Sequence, residues 1–233
     1  MTKFLTENKS IVVPGEIIAE GILELRGDIY RDGNYVRASR LGLLNTENKT
    51  LLPLSGRYVP YRGDVIICKV IDVNLNGWRL DTNSAYSAML PLKEGVSEFV
   101  ERGADLTQFY ALGDYILCKI TNVTSQKLVD VTTRGPGLKK LSRGRIISVN
   151  THKVPRIIGK QGTMVGMIKE ATGCRIIVGQ NGLIWIDGEP ESELLAVETI
   201  KKIERESHVS GLTESIKSFL ERESDRKIES IND

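Results

Sequence analysis

The chain has 233 residues, 40% hydrophobic and 27% charged, with a formal net charge of +2. This is ordinary soluble-globular composition, large enough for two or three small domains. No apolar run reaches membrane-span length, and the start, Met1-Thr2-Lys3-Phe4-Leu5-Thr6-Glu7, lacks the apolar core of a secretory signal, so a cytoplasmic location without membrane partners is expected.

Short apolar runs at Ile11-Val12-Val13, Ile17-Ile18-Ala19 and Tyr35-Val36 are broken by Pro14-Gly15, Gly21, Gly27-Asp28, Asp32-Gly33 and Asn45. Turn signals this frequent, with little helical periodicity, predict a small all-β domain over residues 1–57. Asp32-Gly33-Asn34 predicts a hairpin turn between Ile29-Tyr30 and Tyr35-Val36.

Residues 58–136 hold a near-repeat. Gly63-Asp64 launches the β-branched run Val65-Ile66-Ile67-Cys68-Lys69-Val70, and Gly113-Asp114 launches Tyr115-Ile116-Leu117-Cys118-Lys119-Ile120. Strand-like segments at Gly77-Trp78-Arg79-Leu80, Ala85-Tyr86-Ser87-Ala88-Met89-Leu90 and Leu128-Val129-Asp130-Val131 complete five strands, with a short helix expected near Glu98-Phe99-Val100. Five strands with a helix between the third and fourth make an OB barrel. Arg134-Gly135-Pro136-Gly137 then reads as a linker. The cysteines Cys68, Cys118 and Cys174, far apart and beside aliphatic residues, read as reduced, buried small hydrophobes.

Residues 140–210 switch to an α+β pattern. Strands are predicted at Arg145-Ile146-Ile147-Ser148-Val149, Arg175-Ile176-Ile177-Val178 and Leu183-Ile184-Trp185-Ile186, the last two joined by Gly179-Gln180-Asn181-Gly182. Helices are predicted from Val154 to Ile158, through Met164, Val165, Ile168 and Ala171 up to Gly173, and from Pro190 through Ile203. The order is β-α-α-β-β-α. Residues 211–233 predict a short amphipathic helix (Ile216, Phe219, Leu220) and a flexible acidic tail. The predicted fold class is multidomain: an all-β N-terminal domain and a five-stranded OB barrel, followed by an α+β domain.

The sharpest chemical signal is Ile157-Ile158-Gly159-Lys160-Gln161-Gly162-Thr163. Two glycines three apart, between helices, let backbone approach a phosphodiester closely. Amides at the start of the next helix favour an anion, and Lys160 adds a cation. Ile157 and Ile158 are expected as an apolar floor for a base, and Lys153 and Arg156 are expected to converge on the loop. Residues 134–180 carry ten Lys or Arg against one acid, Glu170, whereas residues 181–233 carry seven basic and thirteen acidic residues. Such a cationic excess repels itself unless an anion belongs there. A bare GxxG is a common turn; its β-α-α-β-β-α setting makes it specific.

This segment resembles the KH domain, in its eukaryotic-type order, whose GxxG loop clamps about four nucleotides of single-stranded RNA. The resemblance implies RNA contact by Lys153, Arg156, Ile158, Gly159, Lys160, Gln161 and Gly162. The barrel resembles the RNA-binding OB repeat named for ribosomal protein S-one, on the Gly-Asp launches at Gly63 and Gly113, Tyr86 to Leu90 in the third-strand position, and Phe99. Strands two and three of that fold take up nucleic acid, which makes Arg79, Tyr86, Lys119 and Lys127 candidates. For Trp78 and Tyr86, core packing and base stacking are both open; the shared parity of Trp78 with Leu80 favours the core and turns Arg79 outward.

Enzymatic chemistry finds few players. His152 and His208 are the two histidines, neither with a nucleophile or carboxylate at diagnostic spacing, and no Walker A, Rossmann or paired-Asp metal pattern occurs. No catalytic residue, metal or cofactor is expected.

Over nearly its whole length the chain resembles the KH-bearing RNA-binding cap subunits of the archaeal exosome. The matching residues are Val12-Val13-Pro14-Gly15-Glu16, Gly56-Arg57-Tyr58-Val59-Pro60 leading into Gly63-Asp64, and Trp78-Arg79-Leu80-Asp81. The resemblance implies a non-catalytic subunit, three copies to a hexameric phosphorolytic RNase-type ring that degrades RNA from its 3′ end. The N-terminal domain would dock on the ring, the barrels would line the pore, and the KH domains would lie outside, raising affinity for single-stranded RNA, with A-rich tails favoured, and delivering it. A self-contained polynucleotide phosphorylase is a second reading, for which the chain has no room. A ribosome- or translation-associated RNA-binding protein is a third.

Overall fold

Short strands and frequent turns build the first of two compact units, Met1–Arg57, and the second spans Tyr58–Asp233. The computed structural model describes residues 3–21, 25, 27–54, 56–98, 100–101, 103–207, 209 and 211–232, with side chains to residue 223.

In the first unit, β1 (Lys3–Phe4), β3 (Ile17–Glu20), β5 (Tyr35–Ala38) and β4 (Ile29–Asp32) form one sheet in that order; β2 (Ile11–Val12), β6 (Gly42–Asn45) and β7 (Thr50–Pro53) form another. The expected hairpin forms between β4 and β5. Asp32 pairs with Tyr35, Gly33 adopts φ +59°, and Arg37 Nε donates to Asp32 across the ladder at 2.8 Å. Val12, Ile18, Val36, Leu44 and Leu51 are the core. On β2-β6-β7, Ile11, Leu43 and Leu52 lie in register, and Ile11 and Leu52 are 62% and 50% exposed.

The second unit opens with the barrel: β8 (Val65–Asn74), β9 (Gly77–Asp81), β10 (Ser87–Pro91), β11 (Tyr115–Val123) and β12 (Val129–Thr132). The sheet order β12-β10-β9-β8-β11 closes through a β11–β12 pairing, the OB topology. The near-repeat explains the closure. β8 and β11 pair antiparallel, and each Gly-Asp launch reaches the other strand: Gly63 N–H donates to Ile120 O at 2.8 Å, and Gly113 N–H to Val70 O at 2.9 Å. Trp78, Leu80, Leu90 and Ile116 fill the interior. Cys68 and Cys118 Sγ lie there 3.5 Å apart. Burial first, then the hydrogen bond from Cys118, pushes the Cys68 thiol above its ordinary value, which disfavours the reactive thiolate.

The short helix expected near residues 98–100 lies earlier: α1 is Leu92–Gly95, started directly off β10, and a 3-10 turn follows at Leu106–Gln108. Phe99 lies outside the described residues. Just after the linker, the first residues expected in the α+β segment extend the barrel sheet instead. β13 (Lys139–Leu141) pairs with β11, Leu141 opposite Tyr115, so the α+β module starts at Arg145 and not at residue 140.

That module runs β14 (Arg145–Ser148), α2 (Val154–Ile158), α3 (Thr163–Thr172), β15 (Arg175–Val178), β16 (Leu183–Asp187) and α4 (Pro190–Glu206). Its antiparallel sheet has the order β14-β16-β15, which with the helix order is the eukaryotic-type KH arrangement. Ile157, Ile168, Ile184, Ile186, Ile200 and Ile203 are fully buried in its core. The last helix, α5, runs Leu212–Asn232, well past the short segment expected. Leu212, Ile216 and Leu220 anchor it in the same core, and good helix formers with a Lys217–Glu221 pair carry the backbone on. Among the described residues no helix is long and apolar enough to cross a membrane.

Candidate nucleic-acid interface

The loop between α2 and α3 is shaped by its glycines. Pro155 fits the first turn of α2, and Gly159 ends that helix at φ +76°, ψ 173°, a region that side chains avoid. A Cβ on Gly159 would meet the backbone nitrogen of Met164 at 2.7 Å. Residues Lys160–Gly162 make one 3-10 turn, with Gln161 left-handed at φ 55°, ψ 27°. Gly162, at φ +81°, ψ 10°, is the N-cap of α3, and a Cβ there would meet nothing within 4 Å. It offers no side-chain cap, and the first turn of α3 carries no acid.

Lys160 and Gln161 are exposed at the tip, and none of the ion pairs among the described residues uses Lys160. The loop amides are partly spent internally: Gly162 N–H donates to Gly159 O at 3.2 Å, and Thr163 N–H donates to Lys160 O. An anion placed at this loop would therefore meet the exposed tip and the positive end of α3 rather than a ring of free amides.

The expected companions divide. Ile158 is half-buried beside the loop, but Ile157 is wholly core and cannot be a floor for a base. Lys153 is half-buried, ending a 3-10 turn capped by Asn150. Arg156 is exposed and donates to Val209 O at 3.4 Å, toward the α4–α5 connection.

On the barrel, Trp78 is fully buried, edge-to-face with Tyr110 at 5.0 Å, and its Nε1 donates to Tyr110 O at 3.0 Å. Arg79 points outward, donates to Ser87 Oγ at 3.1 Å, and faces Met89, which is 38% exposed. Tyr86 is half-buried against the barrel core. Tyr86 and the exposed Lys127 each stand two residues before the paired Ala88 and Val129, which places them at one end of the barrel. Lys119 is exposed on β11 opposite Val65, away from Arg79.

Comparison with known proteins follows this layout. A KH-domain family model matches residues 144–192, and a model described as the S1 domain of RRP4 matches residues 57–102. The exosome complex component Rrp4 of Thermoplasma acidophilum is 42% identical over 220 residues, covering 93% of this chain and 92% of its own. That of Pyrococcus furiosus is 39% identical over 226 residues, covering 94% and 86%. The chain belongs to the Rrp4 family. A solved chain described as an exosome complex RNA-binding protein superposes with a TM-score of 0.67 at 34% identity, over 73% of this chain and 98% of that one.

In this Rrp4-family chain, tertiary contacts neutralise part of the cationic run. Lys140 pairs with Asp114, Arg145 with Glu193 at 3.6 Å, and Arg175 with Asp187. Glu193 and Asp187 come from the acidic C-terminal stretch, so the charge asymmetry along the sequence is partly a folding device. Sequence reasoning missed two features. Met89 and Ser87 share the outer face of Arg79, which strand parity could have shown. Gln180 and Asn181, read as plain turn residues, bind the barrel; no sequence signal marked them.

Proposed function

We propose that this chain is a non-catalytic RNA-binding subunit of an exosome complex. In this reading it caps a hexameric phosphorolytic 3′–5′ exoribonuclease ring, three copies to a ring, and delivers single-stranded RNA, with A-rich strands favoured. The observation that carries the RNA reading is the Gly159–Gly162 loop: an exposed lysine, without an acidic partner among the described residues, at the uncapped start of α3. Lys153, Ile158, Gly159, Lys160, Gln161 and Gly162 form the KH contact, with Arg156 at its margin. Arg79, Tyr86 and Lys127 form a weaker barrel contact, and Lys119 stands apart. The row Ile11, Leu43, Leu52, exposed at Ile11 and Leu52 and half-buried at Leu43, supports docking of residues 1–57 on the ring, because contiguous apolar surface marks a protein interface.

The direct test adds the chain to a ring nuclease with RNA and phosphate. Faster phosphorolysis is expected, whereas the chain alone should release no nucleoside diphosphate; nucleotide release by the pure chain would refute the adaptor reading. Lys160→Glu should weaken RNA binding and flatten its salt dependence by about 0.7 log unit of affinity per log unit of salt, the loss of one single-strand phosphate contact. Equal slopes for the native and substituted chains would remove Lys160 from the interface. Leu52→Glu, at a half-exposed site, should leave folding intact and abolish co-sedimentation with the ring; retained co-sedimentation would move docking elsewhere.

A further inference from the structure

The outer face of the barrel carries a cleft that neither candidate RNA contact uses. It lies between the start of β11, the end of β13 and the turn into β14, with a volume of about 560 Å³. Small-ligand sites run from roughly 300 to 1,000 Å³. Tyr115, Leu141, Ile146 and Trp185 give it an apolar wall, and Lys140, Ser142 and Arg143 a polar one.

Arg143 is held in place by its backbone and left free at its side chain. Trp185 Nε1 donates to Arg143 O at 2.7 Å and ties down a turn in which Arg143 has φ 65°. A side chain held left-handed is strained, and such strain gathers where ligands are clamped. Gly144 follows at φ +79°, where a Cβ would stand 2.4 Å from Ile186 O, so only glycine lets the chain pass this close to β16. The Arg143 side chain is exposed and enters none of the ion pairs among the described residues. Asp114, the acid in the wall, is already answered: Oδ2 accepts from Ala111 N–H at 2.7 Å and pairs with Lys140. Lys69 Nζ lies 6.0 Å from the centre of the half-buried Tyr115 ring, and Lys69 is likewise exposed and outside those ion pairs. An aromatic ring in a cleft with two unpaired cations is equipment for a nucleotide: the ring takes the base and the cations take phosphate.

The cleft also continues a surface already in use. Tyr115 pairs with Lys69, Lys69 with Asp81 and Asp81 with Ser87, so one row crosses β11, β8, β9 and β10. Ser87 is the residue to which Arg79 donates at 3.1 Å. Asp81, the acid in that row, accepts from Asn83 N–H at 2.9 Å. We propose that the cleft is a nucleotide subsite: Tyr115 stacks a base of single-stranded RNA, and Arg143 and Lys69 hold its flanking phosphates, extending the barrel contact past Arg79 toward β13 and β14. This rests on the RNA-binding reading above.

The test titrates the full chain against a labelled oligoadenylate of about 16 nucleotides over a salt series, with a thermal melt for each variant. Arg143→Gly suits the left-handed backbone and removes the guanidinium. Lys69→Gln acts at an exposed strand position. Each should flatten the salt dependence by about 0.7 log unit of affinity per log unit of salt. Tyr115→Leu keeps apolar packing and loses the ring; it should lower affinity roughly tenfold at an unchanged salt slope, the signature of lost stacking. Should Tyr115→Leu not fold, the two exposed variants decide alone. Native affinity and slope in both of them overturn the subsite. Adenosine monophosphate that binds the native chain but not Arg143→Gly, while the strand ignores every cleft substitution, would make this a free-nucleotide site and overturn the proposal equally. Lys160→Glu separates this inference from the reading beneath it. A strand bound by the native chain, weakened by Lys160→Glu and indifferent to the cleft variants, removes the subsite and keeps the RNA reading; a native chain that binds no strand removes both.

Discussion

Gly162→Asp is expected to lower affinity for single-stranded RNA by about thirtyfold while the protein keeps its fold. Gly162 sits in the left-handed region, which aspartate visits at a cost of about 1 kcal/mol, and its Cβ would meet nothing within 4 Å. The new carboxylate stands where a phosphate would lie. Two like charges about 5 Å apart repel by roughly 2 kcal/mol at a dielectric between water and protein surface, which corresponds to about thirtyfold. Gly159→Asp is a poorer test. At φ +76°, ψ 173°, with a Cβ forced to 2.7 Å from Met164 N, it damages the loop whatever the loop binds. Fluorescence anisotropy at fixed salt, beside a thermal melt, reads both quantities. Unchanged affinity in a folded Gly162→Asp protein would reduce the loop to a turn.

The second large effect concerns stability. Trp78→Ala is expected to cost about 3–5 kcal/mol in denaturant unfolding, the usual penalty for removing a buried large aromatic. Trp78 is fully buried, bonded to Tyr110 O and edge-to-face with its ring, so the cavity would open between β9 and the segment before β11. Arg79→Ala, one residue on and facing solvent, should stay within about 0.5 kcal/mol of the native chain. A small stability loss for Trp78→Ala combined with lost RNA binding would mean that the ring stacks on bases instead of filling the core.

What could be read from the residues alone was whatever is local. The Gly63 and Gly113 launches specified two long strands because their β-branched runs have no other use, and those strands pair. Gly159 and Gly162 announced their backbone, since both sit at positive φ. Trp78 and Arg79 followed the twofold alternation of a strand. What could not be read depends on partners distant in sequence. Lys140 and Leu141 look like the start of the α+β segment until β11 offers them an edge. Asn181 looks like a turn residue until Ile67 and Thr82, about a hundred positions away, surround its amide. The cations at Lys140, Arg145 and Arg175 look like a phosphate surface until Asp114, Glu193 and Asp187 fold against them. Arg156 followed the same rule: its neighbours in sequence pointed to the loop, and its bond goes to Val209.

Ultraviolet cross-linking of the intact chain to a single-stranded oligonucleotide, with mass analysis of the modified peptides, tests the glycine-loop contact most directly. The expected result is cross-linked nucleotide on the peptide containing Lys160, Gln161 and Gly162, reduced by Gly162→Asp. Cross-links confined to the barrel, or undiminished by that substitution, would contradict it.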